Sequence, residues 1–400
     1  MTSIRACLSA VLLASALAAA PATWNLKELW KVPAAESVPS AEPGVKAFFI
    51  NSVPWKGKPT RVFAYYGAPE GASASAKAPA MVLIHGGGGT AFAEWVRQWN
   101  RRGYAAIAMD TCGAIPGKAP EAKPFGPEKT RHPQGGPEGW GGFGQVDQPA
   151  GDQWTYHAVA AVVLAHSLIR SFPEVDARRI GVTGISWGGY LTAIAAGVDS
   201  RFRFAAPVYG CGFLGEDSAW VGQFEKMGRE KASKWLDLWD PSRYLPEARM
   251  PMLWVSGTND FAYPLPSLQK SYRLPRGERT LAVRVRMPHS HPAGAAPAEI
   301  PAFADALFGR GKPLAWIRAE RTEGNRAVAR FRSARAVAKA ELNYTSEEGA
   351  WKDRKWETIP AEVDRKRGRV EAEIPAAAKA YYLNLFDVDG LVVSTEHIVR

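Results

Sequence analysis

Apolar positions along the chain follow two regimes. Up to about Phe308, short apolar runs alternate with longer stretches of helical period; from Trp316 onward the period is two. In the first regime "VKAFFINS" (Val45 to Ser52) and "TRVFAYYGAP" (Thr60 to Pro69) read as a starting pair of strands. "AMVLIHGGGG" (Ala80 to Gly89) is a fully buried type of strand ending in four glycines. "YAAIAMD", "RIGVTGIS", "FAAPVYG", "PMLWVSGTND" and "LAVRVRM" are further strands. Helices are expected at "AFAEWVRQWNRRG", from Trp154 to Arg170, after Ser186, and at "PAEIPAFADALF". Strands alternating with helices imply a mostly parallel sheet covered on both faces, with ligands bound outside the carboxyl ends of the strands.

The second regime, "RAVARFR", "AVAKAELNY", "KWETIP", "RVEAEIP", "YYLNLFDV" and "LVVSTEHIV", is a succession of short alternating strands. It predicts a β-sandwich of immunoglobulin or fibronectin-III size. The division expected is therefore residues 21–44 as an extension wrapping the surface, 45–310 as an α/β domain, and 314–400 as the sandwich. A long Gly/Pro-rich excursion from Gly113 to Gln153 interrupts the first domain.

The N-terminus changes the picture. "MTSIRACLSAVLLASALAAAP" has a basic start at Arg5, an apolar centre and small residues at its end. This is a secretory signal pattern over residues 1–20, with cleavage expected after Ala18, and it is too short for a stable membrane span. A secreted or periplasmic protein without membrane insertion is expected. Cys7 leaves with the signal, so Cys112 and Cys211 remain in an oxidising compartment where a disulfide is chemically allowed. The net charge of +11 lies mostly before the sandwich. The densest basic cluster, "DRKRGR" (Asp364 to Arg369), reads as a solvated hairpin tip. No basic stripe or nucleic-acid motif accompanies it, so no nucleic-acid partner is expected. A composition that is 46% hydrophobic, with 15 Trp in 400 residues, supports a large core and excludes a disordered chain.

The chemistry concentrates where a strand meets a helix. Gly184-Ile185-Ser186-Trp187-Gly188 fits the G-x-S-x-G elbow, in which a sharp turn lifts a nucleophilic serine above the sheet and glycines remove clashing side chains. The following helix directs its positive end at the site. With this elbow the chain resembles the α/β-hydrolase superfamily over about Val45 to Phe308. The triad there runs Ser, acid, His along the chain. The resemblance makes Ser186 the nucleophile and Asp260, which ends "PMLWVSGTND", the acid. "MPHSHPAG" offers two bases. His291 is favoured because similar enzymes place the base in a loop a few residues past the strand, with His289 as the alternate. The "HGGGG" stretch resembles the oxyanion loop of lipases and esterases, giving Gly87 as donor, with Gly86 and Gly88 as alternatives and the Trp187 amide as second donor. His85 reads as structural.

Trp140, Trp220 and Trp239, together with Phe143, are candidates for the pocket wall. His289-x-His291 lacks the further ligands of a zinc signature, so neither metal nor cofactor is expected. In the superfamily's strand order Cys112 and Cys211 are separated by two strands, about 14 Å at ~4.8 Å per strand. A disulfide spans at most about 7 Å between Cα atoms, so only loops folding over the site could close that gap.

"GISWGGY" with "GTNDFAYP" looks like acetyl-xylan-esterase and dienelactone-hydrolase-like enzymes, and also like the catalytic domain of prolyl-oligopeptidase-type peptidases. Too few residues precede the first strand for the propeller those peptidases carry. The expectation is an exported serine carboxylesterase that removes short acyl groups, acetyl foremost, from a small ester or an acylated carbohydrate such as xylan. A serine peptidase, or a non-catalytic carbohydrate-binding protein on a hydrolase scaffold, is the alternative. None of the candidate residues lies beyond Leu314, so a chain ending near Gly311 is expected to contain the whole site and to hydrolyse a small aryl acetate.

Overall fold

A computed structural model describes residues 24–400; the expected signal segment, residues 1–20, lies outside the described residues. Nine strands form the main sheet: β1 (Ala35–Val38), β2 (Lys46–Trp55), β3 (Lys58–Gly67), β4 (Ala78–Ile84), β5 (Ala105–Met109), β8 (Val175–Ile185), β9 (Phe204–Val208), β10 (Met252–Gly257) and β11 (Arg279–Arg284). Their order is β1-β2-β3-β5-β4-β8-β9-β10-β11. The first three strands run antiparallel to their neighbours, and β5 through β11 are mutually parallel. A small ribbon of β6 (Ala114–Pro116) and β7 (Lys129–Arg131) stands in the Gly/Pro-rich excursion.

The central strands are unbroken apolar runs because helices cover both faces. Every residue of β4 and β5 is buried. Each fully buried aliphatic side chain in such a strand contributes about 1.5–3 kcal/mol relative to exposure. Helices Trp154–Ile169 and Trp187–Val198 pack together on one face. Helices Ala93–Arg101 and Glu299–Leu307 share the lining of a cavity on the other. The segment before Val45 does more than wrap the surface. Its Ala35–Val38 adds an edge strand to the sheet, and Trp24 is buried against Tyr156, Trp239 and Tyr244.

The C-terminal part contains β12 (Trp316–Glu323), β13 (Arg326–Arg332), β14 (Val337–Thr345), β15 (Glu357–Asp364), β16 (Arg369–Glu373), β17 (Ala380–Asp387), β18 (Val392–Ser394) and β19 (Ile398–Val399). They follow an antiparallel path β12-β13-β16-β15-β14-β17-β18, with β19 beside β17. Phe331, Leu342, Val370, Leu383 and Leu385 belong to its own core. The other face of β17 is apolar as well: Ala380 and Tyr382, with Trp351, Trp356 and Val392, join the core of the α/β part. Strand β11, at the edge of the main sheet, is capped from this side. Val283 N–H donates to Ser394 Oγ at 2.8 Å, and Asn384 Nδ2 donates to Val283 O at 3.0 Å. An exposed strand edge is thereby removed.

Candidate active site

The elbow is built by close approach. Ser186 sits at φ 59°, ψ −119°, a conformation that costs a non-glycine residue about 1–3 kcal/mol. Neighbouring backbone holds it there, with Ser186 N–H donating to Val208 O at 2.9 Å. A Cβ on Gly184 would stand 2.2 Å from Gly188 O, and one on Gly188 would stand 2.0 Å from Ile84 O. The two glycines let the helix start directly against strands β4 and β8.

Asp260 follows β10 and is buried. Its Oδ1 accepts the N–H groups of Ala262 and Tyr263 at 2.9 and 2.7 Å, which leaves Oδ2 to face His289 Nδ1 at 2.6 Å. His289 Nε2 lies 2.8 Å from Ser186 Oγ. The imidazole stacks on Tyr209, whose hydroxyl donates to Pro288 O at 2.6 Å and so anchors the loop that carries it.

This arrangement corrects the expectation for the base. His291 does not reach Ser186 or Asp260; it is the first residue of helix His291–Ala295 and its Nε2 accepts the Gly86 N–H at 2.8 Å. A sequence signal for this existed. Ser290 caps that helix, accepting from Ala293 N–H, and Pro292 occupies its first turn, so "SHPAG" marks a helix start at His291 and leaves His289 in the loop. Burial first, then the neighbouring imidazoles and Lys129, hold the His291 pKa down to about 3.

His85 points away from the proton chain. It is buried, its Nε2 accepts Thr111 N–H at 3.0 Å, and its Nδ1 lies 3.0 Å from Gly86 O. Burial keeps its pKa near 3 as well. In the glycine loop, the Gly86 amide is taken by His291, which removes it as an oxyanion donor. Gly87 lies over the Trp187 indole: a Cβ there would be 2.9 Å from Trp187 Cδ1. Gly88 has φ +75°.

The tryptophans divide. The Trp187 ring is buried, with its centroid 4.5 Å from that of Trp220 and 5.6 Å from that of Trp154. Trp140 and Trp220 are half-buried, the first edge-on to His85 and the second beside Trp187 and Tyr263. Phe143 packs among Trp187, Phe224 and Trp235. Trp239 does not line the site. It is fully buried among Trp24 and neighbours, with Nε1 donating to Gln153 Oε1 at 2.7 Å. Cys112 and Cys211 are both free thiols; burial pushes the Cys112 thiol up to about 12. Among the described residues no helix is long and apolar enough to cross a membrane.

Two features of the site carried no strong sequence signal. Lys129, on β7 of the excursion, donates from Nζ to Gly88 O and Gly89 O at 2.6 and 2.8 Å. Asn259, one residue before Asp260, donates from Nδ2 to Arg354 O and Lys352 O of the C-terminal part at 2.7 and 3.0 Å.

The sequence matches the family described as "Acetyl xylan esterase (AXE1)" over residues 23–218 and the "Prolyl oligopeptidase family" over residues 148–307. No curated protein matches it. Among solved structures it is similar to the acetyl xylan esterase from Paenibacillus sp. R4, with a TM-score of 0.55 and 23% identity over 71% of this chain and 92% of that one. It is also similar to Acetyl Xylan Esterase 1 from Thermoanaerobacterium sp. JW/SL YS485, with a TM-score of 0.53 and 17% identity over 71% and 93%. At these identities the likeness establishes the fold. The two family matches, each spanning less than half of the chain, overlap on the stretch that carries the elbow; with the structural likeness they support an α/β-hydrolase fold and a serine hydrolase.

Proposed function

We propose that this protein is an exported carboxylesterase that removes short acyl groups, acetyl foremost, from an acylated polysaccharide such as xylan. The reading rests on one observation above the rest: Asp260, His289 and Ser186 form a continuous hydrogen-bonded chain at the carboxyl ends of the strands.

In the proposed reaction Ser186 Oγ attacks the ester carbonyl carbon while its proton passes to His289 Nε2. The Asp260 carboxylate, held by two backbone amides, orients the ring and stabilises the imidazolium. The carbonyl oxygen, now an alkoxide, is met by the amides of Gly87 and Trp187. Collapse breaks the C–O bond to the sugar, and the sugar alkoxide takes the proton from His289. Water then attacks the acyl-enzyme with His289 again as base, releasing the carboxylic acid and restoring Ser186.

The match to acetyl xylan esterases favours an ester and a sugar alcohol. The overlapping match to the prolyl oligopeptidase family keeps an amide substrate as the second reading. A panel of p-nitrophenyl esters, acetylated xylan and dipeptide amides, run on wild type and Ser186→Ala, separates them. Loss of ester hydrolysis in the variant supports the proposal. An amide cleaved faster than any ester moves the protein to the peptidases.

A further inference from the structure

His291 is half-buried beside the reacting groups yet has no part in the proton chain, and Lys129 reaches the same loop from a different element. Both bind the backbone of His85–Gly89. His291 Nε2 accepts the Gly86 N–H at 2.8 Å, so this nitrogen carries no proton and the ring is neutral. Lys129 Nζ donates to the carbonyls of Gly88 and Gly89, and Gly89 N–H donates to Gly86 O at 3.0 Å to close the turn. The loop is shaped to receive the imidazole. Cβ atoms added at Gly86 and Gly89 would lie 3.1 and 2.9 Å from His291 Nε2, so side chains there would crowd the ring. Phe92 closes the far side, with its ring centroid 4.8 Å from that of His291.

We infer that His291 and Lys129 are positioning residues that clamp the glycine loop, one by its amide and the other by its carbonyls, and so leave the Gly87 amide to meet the oxyanion. The inference rests on Ser186 being the nucleophile. It explains why two histidines stand two residues apart: the first moves a proton, and the second fixes the donor that stabilises the charge this transfer creates. A preorganised donor acts on the transition state more than on the bound ester, so loss of the clamp lowers kcat and leaves KM nearly unchanged. The effect should not exceed that of deleting an oxyanion donor, about 10²–10³-fold.

The test uses His291→Phe, which keeps the ring's shape without an acceptor, His291→Gln, whose carbonyl oxygen reaches the Nε2 position, and Lys129→Met. Each is assayed on p-nitrophenyl acetate and against a trifluoromethyl ketone, which adds reversibly to the serine as an alkoxide. The expected result is a kcat about 10–100-fold lower in His291→Phe, KM within about 3-fold, and ketone affinity falling in parallel. His291→Gln should recover most of that loss, and Lys129→Met should show a smaller loss of the same kind. Thermal melting confirms that each variant is folded; Lys129→Met and His291→Gln carry the test if His291→Phe does not fold. Wild-type kcat and ketone affinity in the folded variants would overturn the clamp, as would a glutamine no better than phenylalanine. Loss of about 10⁴-fold in both His291 variants would instead make His291 the base. Activity persisting in Ser186→Ala would remove the underlying reading, an outcome distinct from failure of the clamp alone.

Discussion

Asn259 Nδ2 donates to the backbone carbonyl of Arg354 at 2.7 Å, tying the residue before Asp260 to a loop of the C-terminal β part. The same side chain reaches Lys352 O at 3.0 Å. The turn that presents the acid is therefore fastened from outside the α/β part.

This changes the expectation for a shortened chain. A chain ending at Gly311 keeps Ser186, Asp260 and His289, but it bares β11 and the core surface covered by Trp351, Trp356 and Tyr382. We expect it to be insoluble or inactive on p-nitrophenyl acetate and acetylated xylan alike. In the full chain, Asn259→Ala should lower activity about 3–30-fold by freeing the Asp260 turn, at a stability cost of about 1–3 kcal/mol for the unpaired carbonyls. A soluble truncate with wild-type turnover of the aryl acetate would refute the coupling.

Substitutions at the proton chain should separate sharply from those around it. Ser186→Ala and His289→Ala should each lower kcat by about 10⁴-fold or more, since the members of such a triad act as a unit. A fluorophosphonate should label the wild type at Ser186 alone. Labelling at another serine, or substantial turnover by His289→Ala, would show that the hydrogen-bonded chain is not the catalytic one.

Acid should destabilise the fold through its buried histidines. Burial holds His85 and His291 at about 3 and His157, His166 and His397 at about 4. Unfolded histidine titrates near about 6.5. Between these values the unfolded chain binds more protons, so stability is complete above about pH 6.5 and falls as pH drops towards 3. Asp110 and Asp240, raised by burial, act in the opposite sense. The melting temperature should nonetheless fall by about 5–10 °C from pH 7 to pH 4.5. A flat profile over that interval would contradict the assignment of these rings as neutral.

Acyl selectivity should follow from the aromatic wall. Trp187 is held between Trp220 and Trp154, with Gly87 against its indole edge, so its ring is packed on both sides next to the Gly87 and Trp187 amides. Acetate should lead butyrate by about 10–10³-fold in kcat/KM, at about 1–3 kcal/mol per methylene. Trp220→Ala should narrow that ratio. A wild-type optimum at butyrate or longer would exclude the short-acyl reading.

The order of strands and helices, the elbow and the place of Asp260 after its strand were legible because each is a local pattern. Buried parallel strands are continuous apolar runs. Gly184 and Gly188 bracket Ser186 where strand becomes helix. Asp260 closely follows a strand past the nucleophile. The choice between His289 and His291 was not settled by their nearness in sequence. Two residues further on the chain has already entered a helix, and only the position of Asp260 and Ser186 in space selects the ring that spans them. The local cap at Ser290 was the one sequence sign that set His291 at the start of a helix and His289 before it. Trp239 and Trp220 were indistinguishable as aromatic residues of the one segment between β9 and β10, until packing put the first in the core and the second beside the elbow. The clamp by Lys129 and the tie from Asn259 to Arg354 join segments far apart in the chain. Such contacts follow from how the excursion and the C-terminal strands settle on the sheet, and no residue pattern at either end encodes them alone.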